Sequence, residues 1–251
     1  MMEGIIKWVK NLDLHRHFYY WILPGLITLP MVFLYFSGIP IAEELIAPAI
    51  NRELGLLENA ENIIIIAIIV VAIIGFRRKT IYVERAAFVF IALFSLFIFL
   101  EEIDYGLHYY EFLMKKPEKQ QIKIRNIHNI GEITDIIKGV VDATIILFFV
   151  FGPFVLQKIK HPVIRYLVPD VCTVGTALSM VAVSKFAHLL DSMGLNQNGS
   201  LDKNISEFRE FFIYYLFLVY LVEIVFRRKF DEEKELYDKF TGEIETGRAS
   251  A

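Results

Sequence analysis

Three of the six histidines in the chain stand at the ends of apolar runs with a carboxylate three or four residues away: His108 after Asp104, His128 before Glu132, and His188 before Asp191. On a helix that spacing places acid and imidazole on one face. All three pairs fall at the ends of apolar runs that finish on the same side of a bilayer, which predicts a convergent polar site. Neutral imidazoles with carboxylates suit zinc or iron, and three His with a carboxylate or water form an open, catalytic-type zinc site. The expected metal ligands are His108, His128, His188, Asp191, Asp104 and Glu132. Zinc is the expected cofactor and iron the alternative. A carboxylate-bridged diiron centre ranks lower, because the strict Glu-x-x-His motif of such proteins is absent.

Further polar residues extend these pairs. The run 86–100 is almost purely apolar and leads into Glu101 and Glu102. At helical rise, Glu101 lies about 25 Å from Glu84, near the outer edge of the hydrocarbon. Continued as one helix, Glu101, Asp104, Tyr105, His108 and Phe112 share a face. His128, Glu132, Asp135, Gly139 and Asp142 keep a 4-3-4-3 spacing, a polar stripe running inward. Asp142 is then about 15 Å deeper than Glu132. Lys138 lies on the adjoining face. Further on, Ser184, His188 and Asp191 share a face, and Lys185 reads as a second buried cation. Glu101, Glu102 and Ser184 are the expected catalytic groups; Asp135, Asp142, Lys138 and Lys185 are intramembrane polar residues, which face a cavity or a partner. Glu207 and Glu210, at the start of the last apolar run, read as solvated helix-end acids.

The elements that must position these side chains are membrane spans. The 251-residue chain is 55% hydrophobic with a mean hydropathy of +0.48, above the soluble norm of about 45–50% apolar. A spanning helix needs about 20 mostly apolar residues. Six runs meet or approach that: 18–39, 62–76, 86–105, 130–156, 163–190 and 211–226. The second and sixth are short, but Arg77-Arg78-Lys79 and Arg227-Arg228-Lys229 close them with side chains that snorkel. The fifth carries Arg165 and Asp170 early, so its apolar part starts nearer Val171. Pro24 and Pro30 kink the first, neighbouring helices satisfying the freed carbonyls.

The fold expected is therefore all-α, a polytopic transmembrane bundle of about six spans over residues 1–229. A charged cytoplasmic tail follows over 230–251, partly disordered, and residues 41–59 read either as an interfacial helix or as an ordinary ordered loop. Lys and Arg in the short loops put both termini in the cytoplasm, although the loop 115–125, with five basic residues, runs against the pattern. The localisation expected is the plasma membrane, multi-pass, with the first run a retained signal anchor. The lone Cys172 excludes an intrachain disulfide and reads as a small buried hydrophobe. No basic stripe or motif for nucleic acid is present.

The segment Leu100-Glu101-Glu102-Ile103-Asp104-Tyr105-Gly106, followed by Asn126-Ile127-His128-Asn129, resembles a pattern in uncharacterised prokaryotic multi-span membrane proteins, Glu-Glu-Ile-Ser-Trp-Gly and then Asn-Leu-His-Asn. The resemblance covers residues 98–131 and departs at Asp104 and Tyr105; it implies no activity but picks out the same residues. More loosely, His108, His128, His188, Asp191 and Ser184 are similar to the set that alkaline ceramidases and progestin/adiponectin-receptor-like proteins place around zinc. Those have seven helices rather than six and a paired His-x-x-x-His that this chain lacks.

The leading expectation is an integral membrane metal-dependent hydrolase. Its substrate is a lipid or a membrane-embedded amide or ester, and its site lies at the outer membrane interface. Membrane lipid is then the partner, and a homo-oligomer is compatible with this reading. One alternative is a proton- or cation-coupled transporter or channel using Asp142 and Lys185. The other is a non-enzymatic membrane subunit that recruits a partner through its tail.

Overall fold

The computed structural model describes residues 14–48, 54–115, 131–159, 162–195, 205 and 207–227. Every regular element among them is helical, and the chain packs as two compact units: Met1–Glu58 with Val171–Leu216, and Asn59–Asp170 with Phe217–Ala251. The charged tail expected over 230–251 lies outside the described residues. Among the described residues, four helices are long and apolar enough to cross a membrane: Phe18–Tyr35, Leu56–Arg78, Tyr82–Glu102 and Cys172–Ser192. The expected run 130–156 is helical, but Asp135, Lys138 and Asp142 leave only a shorter apolar helix, Gly139–Val155. The run 211–226 lies in a 16-residue α-helix that widens into a π-turn at Glu223–Arg227.

In the first unit, α1 (Leu14–His17) passes through a π-turn at Phe18–Ile22 into α2 (Leu23–Tyr35). Pro24 causes the change. It has no N–H for the carbonyl of Tyr20 four residues back, and the Leu23 N–H reaches five residues back to Phe18. The neighbouring helix α10 (Cys172–Ser192) answers as expected: the Thr176 hydroxyl donates to the Tyr20 carbonyl at 2.7 Å. The Trp21 indole N–H donates to the Cys172 carbonyl at 3.0 Å, and the hydroxyl of Tyr215, on α11 (Glu207–Val222), donates to the Tyr19 carbonyl. Gly175 permits this approach, since a Cβ there would stand 2.0 Å from the Trp21 ring. Because Thr176 is buried, Thr176→Val should cost about 1–3 kcal/mol with little change in volume. Thermal melting in detergent would check it, and an unchanged midpoint would mean that the carbonyl is satisfied without the hydroxyl.

Between α2 and the next long helix, α3 (Pro40–Ile46) stops at Ala47, which is extended because Pro48 follows. An interfacial helix over 41–59 is thus broken there, and residues 49–53 lie outside the described residues. Helix α10 begins at Cys172 rather than at residue 163, in keeping with the later start near Val171. Residues Pro162–Leu167 form a separate short helix, α9, and Pro169 prevents the two from running together.

In the second unit, α4 (Leu56–Arg78) and α5 (Tyr82–Glu102) form a helical hairpin. Around its turn, three cations lie over aromatic faces: Arg78 over Phe226 at 4.9 Å, Lys79 over Tyr166 at 5.2 Å and Arg85 over Phe76 at 4.5 Å. Helices α7 (Gly131–Thr144) and α8 (Gly152–Val155) are joined by a π-stretch, Ile145–Phe151. Its Phe149 is buried with its ring edge-on to Phe217 and Tyr220.

Candidate functional site

After Glu102 the chain leaves the helix. Asp104, Tyr105 and Gly106 have φ of +48°, +54° and +80°, so three consecutive residues are left-handed. Gly106 adopts that conformation without cost, and Asp tolerates it, but for Tyr105 it is strained. A new helix, α6 (Leu107–Leu113), begins beyond the corner. Strain of this kind persists only where surrounding contacts hold it. Two contacts do so here: the Gly106 N–H bonds the Ile103 carbonyl at 2.7 Å, and the Tyr105 hydroxyl donates to Oε1 of Glu101.

The corner corrects one expectation. Glu101, Asp104, Tyr105, His108 and Phe112 do not share one helical face, and Asp104 and His108 are not an i, i+4 pair, because the helix breaks between them. What the corner gathers instead is acid. Glu101 and Asp104 are each 3% exposed, and Glu111 on α6 is 1% exposed. Glu102 is half-buried. Tyr105 is itself exposed, and its hydrogen bond to the Glu101 carboxylate raises the phenol above the ordinary tyrosine range. The arrangement offers buried carboxylates at the end of an apolar helix, one of them carrying a hydroxyl donor. That is a set suited to moving protons.

The other expected residues divide between the units. In the second unit, Asp142 is half-buried on α7. Glu132, Asp135 and Lys138 are on the same helix, but their side chains, like that of His108, lie outside the described residues. His128 lies outside them altogether. In the first unit, α10 does carry Ser184, His188 and Asp191 at helical spacing, with Ser184 and Asp191 half-buried and His188 exposed. Lys185, expected to be buried, is exposed there.

One group of acids was not anticipated. Carboxylate oxygens of Glu58 and Glu207 lie within 4.8 Å of each other, and both residues are buried, as is Glu61. Glu58 and Glu207 belong to the first unit. Glu61 follows Glu58 by one turn in the unbroken helix α4. Glu207 is the first residue of α11 and is not the solvated acid expected at that position. Carboxylates this close repel unless protons or a cation neutralise them. The signal in the sequence is Glu58-x-x-Glu61-Asn62, three polar residues on one face just before an unbroken isoleucine run.

Comparison of the chain with protein-family models, with curated proteins and with solved structures gives no match.

Proposed function

We propose that this chain is an integral membrane hydrolase, metal-dependent, that cleaves an amide or ester in a lipid or membrane-embedded substrate. The observation that carries the reading is the corner at Asp104–Gly106, where buried Glu101 and Asp104 meet the end of an apolar helix. In this reading six spans cross the plasma membrane with both termini in the cytoplasm. The basic residues of the short loops support that orientation, and the corner then faces the outer interface. Asp104 and His108, with His128 from the segment before α7 and Glu132 from its first turn, are the donors for zinc, or for iron. A bound ion of that kind lowers the pKa of water and polarises a carbonyl. The chain's own part is proton transfer: Glu101 or Glu102 takes a proton from the attacking water and returns it to the leaving amine or alcohol.

The test uses the purified protein in vesicles containing a fluorescent N-acyl or O-acyl lipid. Hydrolysis should vanish on metal stripping and return with zinc or iron. Hydrolysis that survives complete removal of metal overturns the reading. So does its absence under every metal tried; a cation flux lost in Asp142→Asn would then put transport first.

A further inference from the structure

We infer that the turn between α4 and α5 binds the phosphate of an anionic phospholipid through Arg77, Arg78 and Arg85. This requires that α4 and α5 cross the bilayer and is independent of the hydrolase reading. Both helices are long and apolar enough to cross, and a hairpin of two spans brings its turn to a membrane surface. Residues 63–76 are apolar without a break up to Arg77, and 86–100 are almost so from Arg85 onward. The arginines therefore stand where hydrocarbon gives way to headgroups, at the level of the lipid phosphates.

The packing gathers the three side chains and leaves their donors open. Arg85, from α5, lies over the ring of Phe76 at 4.5 Å, and Phe76 directly precedes Arg77 on α4. Arg78 is held over Phe226 at 4.9 Å. An aromatic face attracts a cation without the lone pair of an ordinary acceptor, so these contacts place the guanidinium groups and leave N–H donors for a phosphate. All three arginines are exposed, and among the described residues none is paired with a carboxylate. Glu84 is the one acid between Phe76 and Arg85. Its Oε2 is buried and has no hydrogen-bond partner, so the positive charge of the turn stands uncancelled.

Charge and surroundings select the occupant. A phosphodiester accepts paired N–H bonds from a guanidinium fork, which an ammonium cannot offer. Anionic phospholipids keep the charge of that phosphate, whereas choline and ethanolamine headgroups offset it with a cation of their own. Beside the arginines, at the start of α5, Tyr82 is 83% exposed and Val83 is 74% exposed. A tyrosine at this level sits in the membrane interface. An apolar pair so open suits a lipid, whose glycerol and acyl carbons adjoin its phosphate, better than a free phosphate ion.

The experiment reconstitutes the full-length protein in phosphatidylcholine vesicles and adds spin-labelled phosphatidylglycerol or phosphatidylcholine. EPR then compares the fraction of each that the protein immobilises. The labelled lipids are ether-linked, so no hydrolase cleaves them, and failure here is separate from failure of hydrolysis. Phosphatidylglycerol should be held severalfold more strongly than phosphatidylcholine. Each arginine near anionic lipid contributes about a factor of five, so Arg77→Gln should cut the preference by about two- to fivefold. Arg77→Lys, which keeps the charge and loses the fork, should recover part of it. Arg77 is the deciding position, because Arg78→Gln and Arg85→Gln also delete a ring contact. Thermal melting in detergent checks that each variant folds. Equal retention of the two lipids, or a preference that Arg77→Gln leaves intact, overturns the lipid site. So does an equal loss in Lys185→Gln, an exposed cation of the first unit, which would show attraction to positive charge in general. Displacement of the lipid by millimolar inorganic phosphate would assign the turn to a soluble phosphate and overturn it too.

Discussion

Glu101→Gln should lower lipid hydrolysis by about 10²- to 10⁴-fold while leaving the melting temperature near that of the native chain. The substitution keeps the shape of the side chain and an oxygen that can accept the Tyr105 hydroxyl, so the corner keeps its tie. What it removes is a group able to take and return a proton. Tyr105→Phe separates the two roles: it deletes the donor and leaves the carboxylate, so activity should fall by less than in Glu101→Gln.

The pH dependence follows from the raised phenol. The fold favours the neutral Tyr105, a contribution fully present below the ordinary tyrosine pKa and lost only as pH climbs through the higher folded value. The loss of the Tyr105 contribution is therefore confined to alkaline pH. Spectrophotometric titration of the native chain beside Tyr105→Phe would show one late-titrating tyrosine missing from the variant. If Glu101→Gln hydrolyses lipid at the native rate, Glu101 only holds the corner in place, and proton transfer belongs to another group.

Local chemistry decided what was legible in the sequence. A run such as 86–100 has no arrangement open to it but an apolar helix, and the four long helices fall where such runs stand. The later start at Cys172 was visible in Arg165 and Asp170. The π-turn carbonyl near Pro24 was visible as an N–H that proline cannot supply. The corner was misread because i, i+4 spacing carries meaning only inside a continuous helix. Gly106 was the available warning: with Asp104 nearby, it marks a place where positive φ is affordable. The burial of Glu207 could not be read locally at all. An acid at a helix start is ordinarily solvated, and only packing against a residue some 150 positions earlier reverses that. The meeting of Glu58 and Glu207 is likewise a property of tertiary structure.

Gly75→Ala should destabilise the second unit by about 1–3 kcal/mol, the usual cost of forcing a methyl into a filled space. An added Cβ would stand 2.6, 2.7 and 2.9 Å from three ring carbons of Phe88, distances that real Cβ contacts do not show. Phe88 is buried on α5, so its ring has no open solvent to swing into. The adjustment falls on the α4–α5 hairpin, whose short turn also carries the stacking of Arg85 on Phe76. Small residues commonly allow two membrane helices this close an approach. The better helix propensity of alanine works the other way, by about 1 kcal/mol in water, so the net loss falls toward the lower part of the range. Pairing Gly75→Ala with Phe88→Leu isolates the clash. The double variant should recover much of what Gly75→Ala loses, a coupling that additive, independent effects cannot produce. A melting temperature that rises in Gly75→Ala alone would mean that α4 and α5 are not in contact at Gly75.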